Sequence, residues 1–260
     1  MGYETAVSAS PEFTAHNIVL PDGTQTLPDA PMLSEAAETK AMLRSMLLLA
    51  PPERADGTRR RVVDLGALEG GYAVEFARAG YDVVGIEARS GNMAKCLWVA
   101  EQVALPNLSF VRGDVRNVAA HGEFDVAFCS GLLYHLDRPS TFLRTLGEVT
   151  TRLLVLHTHF AVEDDPQTDY GVGPLEEHDG RRGKWYSDYA PGASEAEIEG
   201  DPWASYGNPN SFWLEKKDLL QSVVDAGFPV VYEQRDFVED IVGNPYLGQE
   251  FRSLFIGVKP

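Results

Sequence analysis

The chain has 260 residues, 44% of them apolar, enough to build a full hydrophobic core in one domain. Its formal net charge of −17 repels duplex or structured RNA, and the one dense basic cluster, Arg59-Arg60-Arg61, reads as a solvated loop edge, so the composition argues against a nucleic-acid partner. No apolar run approaches the length needed to cross a bilayer; the longest is Met46 to Ala50, ahead of Pro51-Pro52.

Residues 1–31 are rich in proline, glycine and polar side chains and read as an arm. They lack a basic-then-apolar leader, and Ala6 breaks the acylation pattern that Met1-Gly2 opens. Cys96 and Cys129 are far apart and read as small buried hydrophobes, so a cytoplasmic protein without membrane attachment is expected. A helix is expected over 34–50, with Met42, Met46 and Leu49 on one face and Pro51-Pro52 ending it. Strands are expected at 61–65, 82–87, 108–112, 124–129 and 153–158, separated by helices at 72–79, 92–104 and 138–150. Such alternation predicts an α/β domain, a parallel sheet covered by helices. Residues 160–210 show no regular pattern; a helix over 215–226 closing at Gly227 and strands at 230–233 and 254–258 follow. The expected division is a single domain with an N-terminal arm and helix (1–60), a ligand-binding core (61–159), an inserted lid (160–214), and a final helix and strand pair (215–260).

The strand ends carry the chemistry. The first breaks into Asp64-Leu65-Gly66-Ala67-Leu68-Glu69-Gly70-Gly71, a turn that brings backbone against a nucleotide-like ligand. The second ends in Glu87-Ala88, about twenty residues past the first glycine, where a carboxylate can accept from two ribose hydroxyls. The third ends in Gly113-Asp114-Val115, with an acid for an adenine amine and a valine for the ring face. Together they form one adenosine-shaped site. A dinucleotide is disfavoured, because Leu68 stands at the middle glycine position and Asp64 and Glu69 would repel a pyrophosphate. The same acids favour a cation such as the sulfonium and ammonium of S-adenosylmethionine.

The order Asp-x-Gly, glycine turn, Glu after the second strand and Asp after the third resembles the class I S-adenosylmethionine-dependent methyltransferases over residues 61–161. The resemblance implies S-adenosylmethionine as cofactor and a Rossmann-like, seven-stranded sheet whose last two strands are antiparallel and form one edge. It also implies that Ser130, Leu132 and the Leu132-Leu133-Tyr134-His135-Leu136 run lie along the methyl donor, with the histidine near the acceptor. The cofactor-binding expectation therefore comprises Asp64, Gly66, Ala67, Glu69, Gly70, Glu87, Ala88, Asp114, Val115, Ser130 and Leu132.

Methyl transfer is an in-line displacement, so alignment dominates. An alcohol or phenol must also lose a proton, and a positioned base contributes about 10²- to 10⁴-fold. Candidates at the ends of the fourth and fifth strands are His135 first, His159 second and His157 third. His157 and His159 share a strand face, with Glu163, Asp164 and Asp165 behind them, but no third ligand stands at a defined spacing. No metal centre is assigned. Trp185, Trp203, Trp213, Tyr186, Tyr189, Tyr206 and Phe212 in the lid either wall an apolar pocket or glue the insertion to the sheet.

The segments His16 to Thr24 and Asn208 to Leu214 look like the flanks of the branch related to tRNA wobble-uridine carboxymethyltransferases. That likeness implies an N-terminal arm folded toward the cofactor and an acceptor pocket bordered by 208–214. The chain is shorter and lacks a basic face, so a small-molecule relative is expected. The leading expectation is O-methylation of a metabolite such as a glycoside or polyketide; a tRNA-modifying enzyme and a noncatalytic cofactor-binding protein are the alternatives. Homo-oligomerisation stays open.

Overall fold

The computed structural model describes residues 10–163, 171–237 and 251–260. In chain order its elements are α1 (Ala37–Leu49), β1 (Arg61–Leu65), α2 (Gly71–Arg78), β2 (Asp82–Glu87), α3 (Ser90–Val103), β3 (Leu108–Arg112), β4 (Phe124–Ser130), α4 (Pro139–Val149), β5 (Thr150–His159), β6 (Leu175–His178), β7 (Arg181–Ser187), α5 (Glu195–Gly200), β8 (Asn210–Leu214), α6 (Lys216–Asp225), β9 (Val230–Gln234) and β10 (Arg252–Val258). Seven strands form one sheet in the order β3-β2-β1-β4-β5-β10-β9. The first five run parallel, while β10 is antiparallel to both β5 and β9. This is the Rossmann-like α/β fold the sequence predicts, with the antiparallel pair at one edge. Strand order reverses between β1 and β4, and ligands in open α/β sheets bind beyond the strand carboxyl ends at such a point.

The core forms because β-branched and aromatic runs place alternate side chains on opposite faces. Val126, Phe128, Leu254 and Ile256 pack with Met42 and Met46 of α1 and Phe76 of α2. Phe124, Ala127, Cys129 and Phe255 face the other way, toward Leu143 and Leu146 of α4 and Leu219 and Val223 of α6. Each fully buried Leu, Ile or Phe contributes about 1.5–3 kcal/mol of transfer free energy. Helices α4 and α6 meet at Gly147, where an added Cβ would lie 1.9 Å from the Ala226 carbonyl oxygen, so no side chain fits there.

Several boundaries differ from expectation by one to three residues, most at the first helix and the fifth strand. The first helix begins at Ala37, because Ala36 is extended (φ −59, ψ 131) and Leu33–Glu35 form a separate 3₁₀ turn. The fourth helix ends at Val149 because Thr150 already pairs with Phe124 as the first residue of β5; a β-branched Thr150-Thr151 pair favours the strand.

The larger difference is the insertion. The expected irregular stretch contains a three-stranded antiparallel sheet, β6-β7-β8, and the short α5, capped by a reciprocal Ser194–Glu197 box. Charged, half-exposed strands such as Arg181–Ser187 hid the pattern, although Asp179 (φ 51) and Gly180 (φ 72) form the two-residue positive-φ turn that marks a hairpin. Phe212 and Trp213 are buried and lock this sheet to the core, and the Phe212 N–H donates to the Leu136 carbonyl at 2.9 Å. Trp203, 62% exposed, is not part of that glue.

Candidate functional site

A cavity of about 360 Å³ runs along the carboxyl ends of the strands, from Asp114 after β3 to Arg252 at the start of β10. At its centre β1 ends in Asp64, 2% exposed, whose Oδ2 has no hydrogen-bond partner among the described residues. Burial pushes the Asp64 carboxyl up to about 7, with the Glu87 charge adding and the Ala73 N–H opposing. A buried carboxylate oxygen with spare acceptor capacity at a cavity wall fits an ammonium or sulfonium group.

The turn that follows is held by main-chain bonds from Gly66 and Ala67 to the Ile86 carbonyl, 2.9 and 3.0 Å. Gly66 (φ 71) and Gly70 (φ 82) supply left-handed conformations, and Leu68 adopts one too, at φ 53. For leucine that conformation costs about 1–2 kcal/mol. The compensating contact is the Leu68 N–H, which donates to Glu87 Oε2 at 2.8 Å, so the loop is pinned to the carboxylate expected at the ribose. Glu87 Oε1 accepts from the Arg89 N–H at 2.8 Å, and burial pushes the pKa of this carboxyl up, against those hydrogen bonds. Each oxygen retains a lone pair toward the cavity. Asp114 caps the next 3₁₀ turn through Arg116 N and also pairs with Arg116 Nη1 at 2.9 Å. Gly66, Ala88, Val115, Ser130 and Leu132 line the same cavity.

Three expected cofactor residues do not face it. Glu69 is fully buried and turned outward, accepting from Thr14 N and Oγ1, Ala15 N and His16 N at 2.8–3.0 Å and from Lys95 Nζ at 2.8 Å. Its charge anchors the N-terminal arm and is not available to a ligand cation. Ala67 packs with Met93 and Cys96 below the turn. Gly70 is the N-cap of α2, where a Cβ would meet Phe110 at 2.8 Å.

At the other end, Leu133–His135 form a 3₁₀ turn that puts Tyr134 and His135 at the cavity wall. His135 Nδ1 lies 2.7 Å from Oδ1 of Asp188, a fully buried carboxylate just past β7. Asp188 Oδ1 also accepts from the Ser205 N–H at 2.8 Å and Oδ2 from the Ser211 hydroxyl. A buried acceptor held by two other donors fixes the Nδ1–H tautomer and leaves Nε2 for chemistry. His159 lies elsewhere, stacked between Trp213 (4.9 Å) and Phe251 (5.4 Å) with Tyr134 edge-on at 4.5 Å. Burial, with Arg252 adding, pushes its imidazole down to about 3. His157 contacts Glu38 Oε1 through Nδ1 at 2.7 Å, tying β5 to α1. Neither His157 nor His159 lines the cavity, so the structure does not bring the second and third expected bases to it. They do not converge on one point as ligands either; among the described residues no group of three or more His, Cys, Asp or Glu could hold a metal, and Asp164 and Asp165 lie outside those residues.

Sequence reasoning missed Arg89, Tyr72 and Arg252 at the cavity wall and Asp188 beside His135, whereas His16 begins the arm expected to fold toward the cofactor. His16 is the partner of a helix terminus: the Gly71 N–H donates to its Nδ1 at 3.0 Å, and burial holds the ring neutral by pushing its pKa down to about 4. Asn208, in the second segment of the branch resemblance, donates to the His135 carbonyl at 3.1 Å and accepts from Arg116.

A family model for a methyltransferase domain matches residues 63–152, from β1 to the start of β5. The matched region is thus similar to a methyltransferase domain, and the strand order around it is that of the Rossmann-like methyltransferase fold. Among individual proteins the chain is similar to the O-antigen chain terminator bifunctional methyltransferase/kinase WbdD of Escherichia coli, 29% identical over 122 residues, which are 44% of this chain and only 17% of that protein. It superposes on the N-terminal domain of EvdMO1 in the presence of SAH and D-fucose with a TM-score of 0.66 at 21% identity, covering 98% of this chain and 93% of that one. Magnesium protoporphyrin IX methyltransferase (ChlM) from Synechocystis PCC 6803 with bound SAH gives a TM-score of 0.52 at 15% identity over 86% of this chain and 84% of that one. At these identities the two superpositions establish the shared fold. No described helix is long and apolar enough to cross a membrane.

Proposed function

We propose that this protein transfers a methyl group from S-adenosylmethionine to a hydroxyl of a small, sugar-like acceptor, with His135 as general base. The observation that carries this is the 2.7 Å contact between His135 and buried Asp188 at the cavity wall. When bound, S-adenosylmethionine supplies an electrophilic methyl on sulfonium. Glu87 and Asp114 would hold its adenosine and Asp64 its ammonium. His135 Nε2 accepts the proton of the acceptor hydroxyl, while Asp188 keeps the tautomer and stabilises the imidazolium that results. Tyr134, Trp203 and Tyr206, all lining the cavity, shield the reacting centre from water.

In this reading 61–159 is the donor core, 160–214 the lid and acceptor wall, 1–60 the arm that closes the donor end, and 215–260 the completion of the sheet. The sugar-like acceptor draws support from the D-fucose named with EvdMO1 and the O-antigen named for WbdD. The arm and the 208–214 segment fit a small-molecule relative of the wobble-uridine branch, acting in the cytoplasm as two free buried thiols suit. Incubation with methyl-labelled S-adenosylmethionine and a panel of hexoses, deoxyhexoses and glycosides should label a hydroxyl, and His135→Ala should abolish it. Binding of S-adenosylhomocysteine without any labelled product from the panel or from a metabolite extract would favour the noncatalytic reading.

A further inference from the structure

We propose that Arg89 is a positioning residue that ties the cofactor end of the rim to the His135–Asp188 pair, a role that rests on the methyl-transfer reading above. The Arg89 backbone is fixed by Glu87, whose Oε1 accepts its N–H at 2.8 Å. The Arg89 side chain is 7% exposed and reaches across to the insertion. There Nη2 donates to the Ala204 carbonyl at 2.8 Å and the Ser205 carbonyl at 3.0 Å, Nε donates to the Ile198 carbonyl at 3.3 Å, and the guanidinium lies 5.3 Å from the Tyr206 ring centroid.

The Ala204 carbonyl and the Ser205 N–H belong to one planar peptide. Arg89 holds its oxygen, and Asp188 Oδ1 accepts its N–H at 2.8 Å. That same Oδ1 faces His135 Nδ1 at 2.7 Å. A path therefore runs from Glu87 along the body of Arg89 and on through one peptide to His135, and from the guanidinium onward it is a hydrogen-bonded chain in which each bond polarises the next. A nearly buried guanidinium satisfied by main-chain carbonyls is a costly way merely to attach a loop. Attachment has its own fastening nearby, where the Ser90 hydroxyl and Gly91 N–H donate to Glu199 at 2.6 and 2.9 Å. Arg89 instead sets the placement of the Ala204–Ser205 peptide, and through it the orientation of Asp188.

The test uses the full chain with S-adenosylhomocysteine as the probe, comparing wild type, Arg89→Met and Arg89→Lys. In wild type the ligand should slow amide exchange across 201–208 by about tenfold or more. Arg89→Met should lose that protection while keeping protection across 82–115 and ligand affinity within about threefold; Arg89→Lys, which retains a charge and can reach one carbonyl, should fall between. On an acceptor that is methylated, Arg89→Met should lower kcat about thirtyfold with the KM for S-adenosylmethionine nearly unchanged, yet cost less than about threefold when Asp188 is already Asn. Equal protection of 201–208 in Arg89→Met, a parallel loss of ligand affinity and kcat, or penalties that multiply in the double variant would overturn the proposal. Failure of the wild type to bind S-adenosylhomocysteine would instead sink the methyl-transfer reading itself.

Discussion

Nδ1 of His135 and Oδ1 of Asp188 stand 2.7 Å apart although they lie 53 positions apart in the chain, so the fold brings an imidazole against a buried carboxylate. Asp188→Asn removes the charge and can invert the tautomer while leaving the shape. It should lower kcat by about 10²-fold, and His135→Ala by about 10²- to 10⁴-fold, on a hydroxyl acceptor. S-adenosylhomocysteine affinity should change little in either variant; calorimetry beside steady-state rates checks both.

Asp64 carries opposing demands of stability and binding. Its carboxyl has an ordinary value of 3.8 and is pushed up to about 7 by burial, so the folded state binds a proton the unfolded chain has already lost. Its contribution is complete below pH of about 4 and is lost as the pH rises through about 7, a difference of about 4 kcal/mol. Asp64→Asn should therefore melt higher than wild type at pH 8 and flatten the decline between those pH values. The same change should weaken S-adenosylhomocysteine binding at least about tenfold. In wild type, affinity should fall as the pH drops below about 7, where the carboxyl must be ionised to meet the ammonium.

Glu87→Ala removes a carboxylate of the cavity wall, proposed to hold the ribose, and also the acceptor for Leu68 N and Arg89 N. Ligand affinity should drop at least about tenfold, and stability by about 1–3 kcal/mol as two buried N–H groups lose their partner. Calorimetric titration with thermal melts measures both; unchanged affinity would remove Glu87 from the site.

Glu69→Gln tests the anchoring role. Its carboxylate holds Thr14, Ala15, His16 and Lys95 together, so the amide should free the arm. Limited proteolysis should cut ahead of residue 20 faster, with stability lower by about 2 kcal/mol. Direct binding of the ligand cation by Glu69 would show instead as a loss of affinity with the arm still protected.

The parallel core and the acids of its rim were legible because each depends on a short stretch: β-branched strands run straight into their turns at Asp64, Glu87 and Asp114. His135 was legible for the same reason. Glu69 was misread because charge alone does not say toward which side of a turn a carboxylate points; here the arm, more than 50 residues earlier, draws it outward. His157 and His159 could be placed on one strand face, but not what lies across from it, which is Glu38 for one and Trp213 for the other. Asp188 and Arg89 carry no local signature, since their meaning arises only where β7 and the 198–205 stretch meet the rim. The β6–β7 hairpin did leave a signature in Asp179-Gly180, masked by the charged residues around it.

The two halves of the rim are encoded apart. Asp64, Glu87 and Asp114 come from three successive strand ends, whereas His135, with Asp188 behind it, Trp203 and Arg252 come from later, scattered segments. The described strands β6, β7 and β8 pair with one another and not with the seven-stranded sheet, so the insertion is a separate backbone layer fastened to the core by Phe212 and Trp213. Grafting a different insertion at 160–214 should redirect such a catalyst to new acceptors while the donor half stays intact, provided the graft returns an arginine-facing peptide and an acid for His135.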